Sequence, residues 1–155
     1  SLFSYGSASL SKEVEIIYLP ERIEIDIAQG VEIDGKVLAQ GEDTIEKISY
    51  LGNNFYRIGT LDLGDSIYHS ILKLISSEYR EADIYKRLDL VNEIKKNQTL
   101  LEISKYFDVN LTIYIGSEVE IINEGGDKNI KLIKCSDNSF EPVIINDDGE
   151  VFYTF

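Results

Sequence analysis

The chain of 155 residues has no methionine, no tryptophan, two prolines, one histidine and one cysteine, and it carries 15 basic residues against 28 acidic ones. Each shortage excludes something. A single cysteine rules out an internal disulfide and a multi-cysteine zinc site, which suits a reducing compartment, so the cytoplasm is the expected location. With one His and one Cys, any metal would be held by carboxylates, and none here show the alternating spacing of a calcium loop. Neither a metal nor a cofactor is expected. No run approaches the roughly 20 apolar residues of a membrane-spanning helix. The formal net charge of −13 is spread along the chain, with residues 1 to 60 carrying 5 basic and 10 acidic side chains. Neither half offers a basic face, which disfavours nucleic acid and anionic membrane as partners and steers in a basic protein. The chain opens on Ser1 and contains no Met, so a fragment or a processed product is expected.

What is present suits one folded unit of mixed α and β structure. Residues 1–12, rich in Ser, read as a flexible leader, and residues 13–50 as a β-rich extension. Glu13–Tyr18 and Arg22–Ile27 have the apolar spacing of strands, the second alternating with period two. Asp34-Gly35 between Val31–Ile33 and Lys36–Leu38 predicts a two-residue hairpin turn. Residues 42–49 are ambiguous, since Ile45 and Ile48 sit three apart behind acidic residues that suit a short helix start. Asn54–Ile58 reads as a strand.

At Ser66 the period changes. Ile67, Ile71, Leu74 and Ile75 fall on one helical face, with Asp65 placed to cap the free N–H groups. A second helix is predicted over Arg80–Lys95, with Ile84, Leu88, Val91 and Ile94 as its buried stripe. Thr99-Leu100-Leu101-Glu102 has the form of a capping box and opens a third helix through Tyr106. The strands Leu111–Ile115, Val119–Ile122, Ile130–Ile133 and Val143–Ile145 follow, the first of them read as central. Gly125-Gly126 is read as a hairpin turn, and Asp148-Gly149 as the turn into a last strand from Val151 to Phe155.

The turn Asp62-Leu63-Gly64-Asp65-Ser66-Ile67-Tyr68-His69-Ser70 resembles the signature of the ovarian-tumour (OTU) family of cysteine deubiquitinases, roughly Asp-Gly-Asp-Cys-(Leu/Phe)-(Phe/Tyr)-(Arg/His)-(Ser/Ala). The likeness rests on Gly64, Asp65, Ile67, Tyr68, His69 and Ser70. Ser139-Phe140-Glu141-Pro142-Val143 resembles the family's second element, His-(Tyr/Phe)-(Glu/Asp)-Pro-(Leu/Val). Val109-Asn110-Leu111-Thr112-Ile113-Tyr114 stands in the place of its Val-Asn-Ile-x-Val-Tyr strand. The resemblance covers about residues 55–145. It implies an α+β, papain-like mixed sheet flanked by helices over residues 51–155, with Ser66 at the nucleophile position and Ser139 at the position of the catalytic His. Asp62, Gly64 and Asp65 retain the look of the loop that supplies backbone N–H groups to an oxyanion. Asn146 or Asp147 stands near the residue that orients the family's His.

Both catalytic letters are missing. A serine nucleophile needs a base within hydrogen-bond reach, and the only His, His69, lies three residues on along the same helix, a position the resemblance makes structural. Cys135 ends an apolar run and reads as a small buried hydrophobe. The expected function is therefore an inactive OTU-like pseudoenzyme that binds a protein, ubiquitin or a ubiquitin-like one. Two alternatives stand beside it: an active isopeptidase in which Ser66 is the nucleophile or an engineered Cys→Ser, and a structural domain of a viral or multidomain polyprotein, whose location would be the host cytosol.

Overall fold

The change of period at Ser66 is where the chain turns from strands to helices in the computed structural model, which describes residues 14–16, 24–25, 39–135 and 138–155. The elements are β1 (Val14–Ile16), β2 (Glu24–Ile25), β3 (Ile45–Ile48), β4 (Phe55–Ile58), α1 (Ser66–Ile75), α2 (Ser77–Glu81), α3 (Ile84–Ile94) and α4 (Leu100–Phe107). After them come β5 (Val109–Ile115), β6 (Glu118–Ile122), β7 (Lys128–Lys134), β8 (Phe140–Asp147) and β9 (Glu150–Phe152). The expected leader at 1–12 and the Asp34-Gly35 turn lie outside the described residues.

All the described strands join one mixed sheet in the order β2-β3-β4-β8-β7-β5-β6, with β9 branching from β8 and pairing β1. The pairs β2–β3 and β5–β7 are parallel and the others antiparallel. The class is therefore α+β. Alternation along the strands divides the buried side chains between two faces. On one face Ile58, Leu111, Ile113, Ile130, Leu132 and Ile144 pack with the buried residues of all four helices. The other face holds a smaller cluster, Ile48, Ile133, Cys135 and Val143, to which no α-helix contributes among the described residues; Leu51 of a short 3-10 turn, Ser49–Leu51, packs against it.

Residues 42–48 form no helix, and Ser49 opens a short 3-10 turn. Ile45–Ile48 is a strand, and a spacing of three sends Ile45 to the helix side and Ile48 to the opposite cluster. The helix predicted over Arg80–Lys95 is two helices. Ala82 is extended, and a fresh N-cap divides the run: Asp83 accepts from Lys86 N–H, while Ser76, accepting from Tyr79 N–H, caps the shorter helix before it. In α3 the buried residues are Arg87, Leu90 and Val91, while Ile84 is exposed. The capping box at Thr99 and Glu102 is present, and it opens α4 one residue before the helix proper. Asp148 and Gly149, with φ of 54° and 93°, make the two-residue turn from β8 into β9.

Gly125-Gly126 is not a hairpin turn. β6 pairs with β5 on one side and β7 pairs with β5 on the other, so the connection crosses the end of β5. β5 is thus the last strand but one, not a central one. Asn110 holds the crossing: its Oδ1 accepts Gly126 N–H at 2.9 Å and its Nδ2 donates to Gly126 O at 3.1 Å. A Cβ at Gly126 would stand 2.6 Å from the Val109 carbonyl carbon, too close for any side chain without backbone movement. Gly126→Ala is therefore expected to destabilise the fold by about 1–3 kcal/mol, as overpacking does. Urea denaturation measures it, and an unchanged midpoint would contradict the close crossing.

Candidate functional site

The N-terminus of α1 meets the entry to β8, and hydroxyl groups make the joint. Ser66 Oγ accepts the Phe140 N–H at 2.8 Å. Ser70 and Thr60 both donate to the Phe140 carbonyl, at 2.9 Å and 3.0 Å. The hydroxyl of Ser139 donates to the Asp62 carboxylate. The segments 62–66 and 139–140, more than 70 residues apart in sequence, are thereby brought into direct contact. Ser66 and Ser139 keep 2% and 3% of their surface exposed. Ser139 O also accepts Cys135 N–H at 2.6 Å.

Asp62, Leu63 and Gly64 form the exposed crest of this joint, with Gly64 at φ +85° and open space where a Cβ would stand. Asp65 occupies the N-cap position but makes no capping bond with its side chain. Its carboxylate is turned elsewhere: Oδ1 accepts Leu63 N–H at 3.4 Å and lies 3.6 Å from His69 Nε2, and Oδ2 accepts from Lys95 at 3.4 Å.

His69 is fully buried, with Nδ1 hydrogen-bonded to the Tyr79 hydroxyl at 2.5 Å. Burial pushes the Tyr79 hydroxyl far above its ordinary value, so it stays protonated and donates. The ring proton of His69 then sits on Nε2, which faces Asp65. Burial also lowers the His69 pKa, over the opposing pull of Asp65 and Glu42, and keeps the ring neutral. The bonds of Ser66 and of His69 lead to different elements, β8 and α2. No hydrogen bond joins the two among the described residues.

Seven residues into α1, the polar face carries Lys73, also buried. Its ammonium donates to Glu42, to Asp43 at 2.7 Å and to Gly59 O at 2.7 Å. Arg87 from α3 meets the same two carboxylates, at 3.1 Å and 2.7 Å. Burial works against the Asp43 charge, but Lys73 and Arg87 outweigh it and hold the carboxyl below its usual value. Beside this network opens a cavity of about 410 Å³ walled by Asp43, Ile45, Ile58, Arg80 and Tyr153, where the Arg80 guanidinium lies 3.9 Å from the centre of the Tyr153 ring.

On the opposite face Arg57 donates to Glu141 at 2.6 Å and to Glu46 at 3.0 Å. Cys135 lies beside this pair, its sulfur 4.0 Å from Arg57 Nη1. Burial pushes the thiol strongly up, away from the thiolate that nucleophilic attack needs. Burial also raises Glu141 to about 7, with Arg57 and the Gln40 N–H pulling the other way.

Reading the residues missed Lys73, Tyr79, Arg87, Glu42, Asp43 and the Arg57–Glu141 pair. One signal was available. The face of α1 that looks solvated, Ser66, His69, Ser70 and Lys73, holds no carboxylate, in a chain with 28 acidic residues. Among the described residues no group of three or more His, Cys, Asp or Glu side chains is placed to hold a metal ion, and no helix is long and apolar enough to cross a membrane. Compared with known proteins, the chain matches no family model, no curated protein and no solved structure.

The raised Glu141 pKa sets a sign for the pH dependence. The folded state holds the proton up to about pH 7, whereas the unfolded chain releases it near 4.5. Stability from this group is present below about pH 4.5 and is lost as pH rises toward 7. The stability of the wild type relative to Glu141→Gln is expected to be about 2 kcal/mol greater at pH 5 than at pH 7. Denaturation of both proteins at the two pH values measures this, and a difference that moves the other way would contradict it.

Proposed function

We propose that this chain is a catalytically inactive OTU-like domain that serves as a protein-interaction module, with ubiquitin or a ubiquitin-like protein as its partner class. One observation carries the reading. The two positions that the resemblance assigns to nucleophile and base, Ser66 and Ser139, lie at one joint, and both hydroxyls are buried in bonds that hold the fold together. The place of the chemistry is kept, and its content has become structural.

Two further features support it. The Ser66 oxygen already accepts the Phe140 N–H, and the one His is turned to Tyr79. The crest above the joint presents Leu63, 76% exposed, between Asp62 and the exposed Gly64. An apolar side chain on an acidic crest suits contact with a folded protein surface better than attack on a bond beneath it.

The test combines reactivity and binding. Ser66→Cys is expected to form no adduct with an electrophilic ubiquitin probe and to leave ubiquitin chains intact. Ubiquitin titrated into the isotope-labelled wild type is expected to shift amide signals on the 62–66 crest, with a Kd below about 1 mM. Cleavage by Ser66→Cys would overturn the inactive reading. A spectrum unmoved by ubiquitin would overturn that choice of partner.

A further inference from the structure

A second surface lies at the far edge of the sheet. β6 pairs with β5 along one side and, among the described residues, ends the strand order with its other edge unpaired. Glu118, Val119, Glu120 and Ile121 are all exposed, Val119 at 51% and Ile121 at 67%. Register divides them by face. Val119 stands opposite Tyr114 and Ile121 opposite Thr112, on the side of the sheet away from the four α-helices, while Glu118 and Glu120 stand opposite Ile115 and Ile113 on the helix side. The edge therefore offers a row of backbone N–H and C=O groups, two apolar side chains on one face and two carboxylates on the other.

Exposed edges are commonly blunted by Lys, Pro or a bulge, because an open edge invites another strand. β6 has neither Lys nor Pro, and its pairing with β5 runs in unbroken register from Glu118 to Ile122. Negative charge is its guard, continued by Glu124 just beyond. Such a guard discriminates by sign. Two copies meeting edge to edge about Glu120 would set that carboxylate against its own image, on molecules of net charge −13. A strand with Lys or Arg at the facing positions meets attraction instead, and apolar residues at the alternate positions cover Val119 and Ile121.

We propose that β6 is a docking edge for an extended basic segment of a partner protein, one that alternates Lys or Arg with apolar residues and adds to the sheet as a further strand. The surface is separate from the joint at Ser66. β8 and β6 are three strand positions apart, about 14 Å across the sheet. The proposal thus goes beyond the ubiquitin reading, and either can fail alone.

The probe is a synthetic peptide alternating lysine and valine, titrated into the isotope-labelled full chain. Its controls are the same peptide with glutamate for lysine and the same peptide N-methylated at alternate backbone amides. Binding is expected to shift the signals of residues 118–122 and to slow their amide exchange. The N-methylated peptide is expected to bind at least about tenfold more weakly, because it cannot complete the ladder. The variant Glu118→Lys/Glu120→Lys is expected to lose the lysine peptide by a similar factor and to take the glutamate peptide instead. Equal binding of the N-methylated peptide would overturn the proposal, since charge alone would then explain it. So would shifts scattered away from β6, no binding, or sedimentation showing that the protein pairs with a second copy through this edge.

Discussion

Helix α1 has no solvent face: all ten of its residues are buried. A helix in that position has to find partners inside the protein for every polar side chain, since an unsatisfied buried hydroxyl costs about 1–3 kcal/mol and an unpaired buried charge more. The rest of the structure meets most of that demand; His69 Nε2, 3.6 Å from the Asp65 carboxylate, is the buried atom of α1 left without a hydrogen bond among the described residues. Ser66 and Ser70 are met by the backbone of Phe140 at the entry to β8. The Tyr79 hydroxyl meets His69. Glu42, Asp43 and the Gly59 carbonyl meet Lys73, and those two carboxylates in turn hold Arg87 of α3. One row of polar side chains thus ties α1 to β8, to α2 and to the turn before β3.

The same row decides how the joint at Ser66 is read chemically. A nucleophilic serine has to present its oxygen to a substrate and give its proton to a base. Here the oxygen receives a backbone N–H from β8, and the neutral imidazole is held by a tyrosine of another helix. The likeness to a deubiquitinase signature and the lack of its two catalytic residues become compatible once these positions are seen as fastenings. The surface is acidic overall and carries exposed apolar side chains, among them Leu63 on the crest and Val119 and Ile121 on the sheet edge.

Much of this was legible in the residues. Period fixed α1 to its observed ends, the Thr99–Glu102 box opened α4, and Asp148-Gly149 turned where a positive-φ pair should. The failures have physical causes. Ile45 and Ile48 sit one on each face of a strand, and a spacing of three looks helical only if both are taken to share a side. The break at Ala82 is marked by the fresh cap at Asp83, which apolar spacing alone does not reveal. Gly125-Gly126 looked like a hairpin because strand order is not written in local sequence; the crossing depends on which neighbour β7 chooses. The buried charges were missed because their partners are distant, Lys73 from Asp43 by 30 positions and Arg57 from Glu141 by 84.

The bond between Ser66 and Phe140 bears most directly on whether Ser66 is a fastening or a reactive group, and amide hydrogen exchange at Phe140 measures it. A backbone N–H held by a buried hydroxyl exchanges only when that region opens. Phe140 is therefore expected to exchange as slowly as the neighbouring amides of β7 and β8, and Ser66→Ala is expected to speed it by about tenfold or more relative to those neighbours. Fast exchange at Phe140 in the wild type, unchanged in Ser66→Ala, would show the Ser66 hydroxyl free of β8 and contradict its structural role.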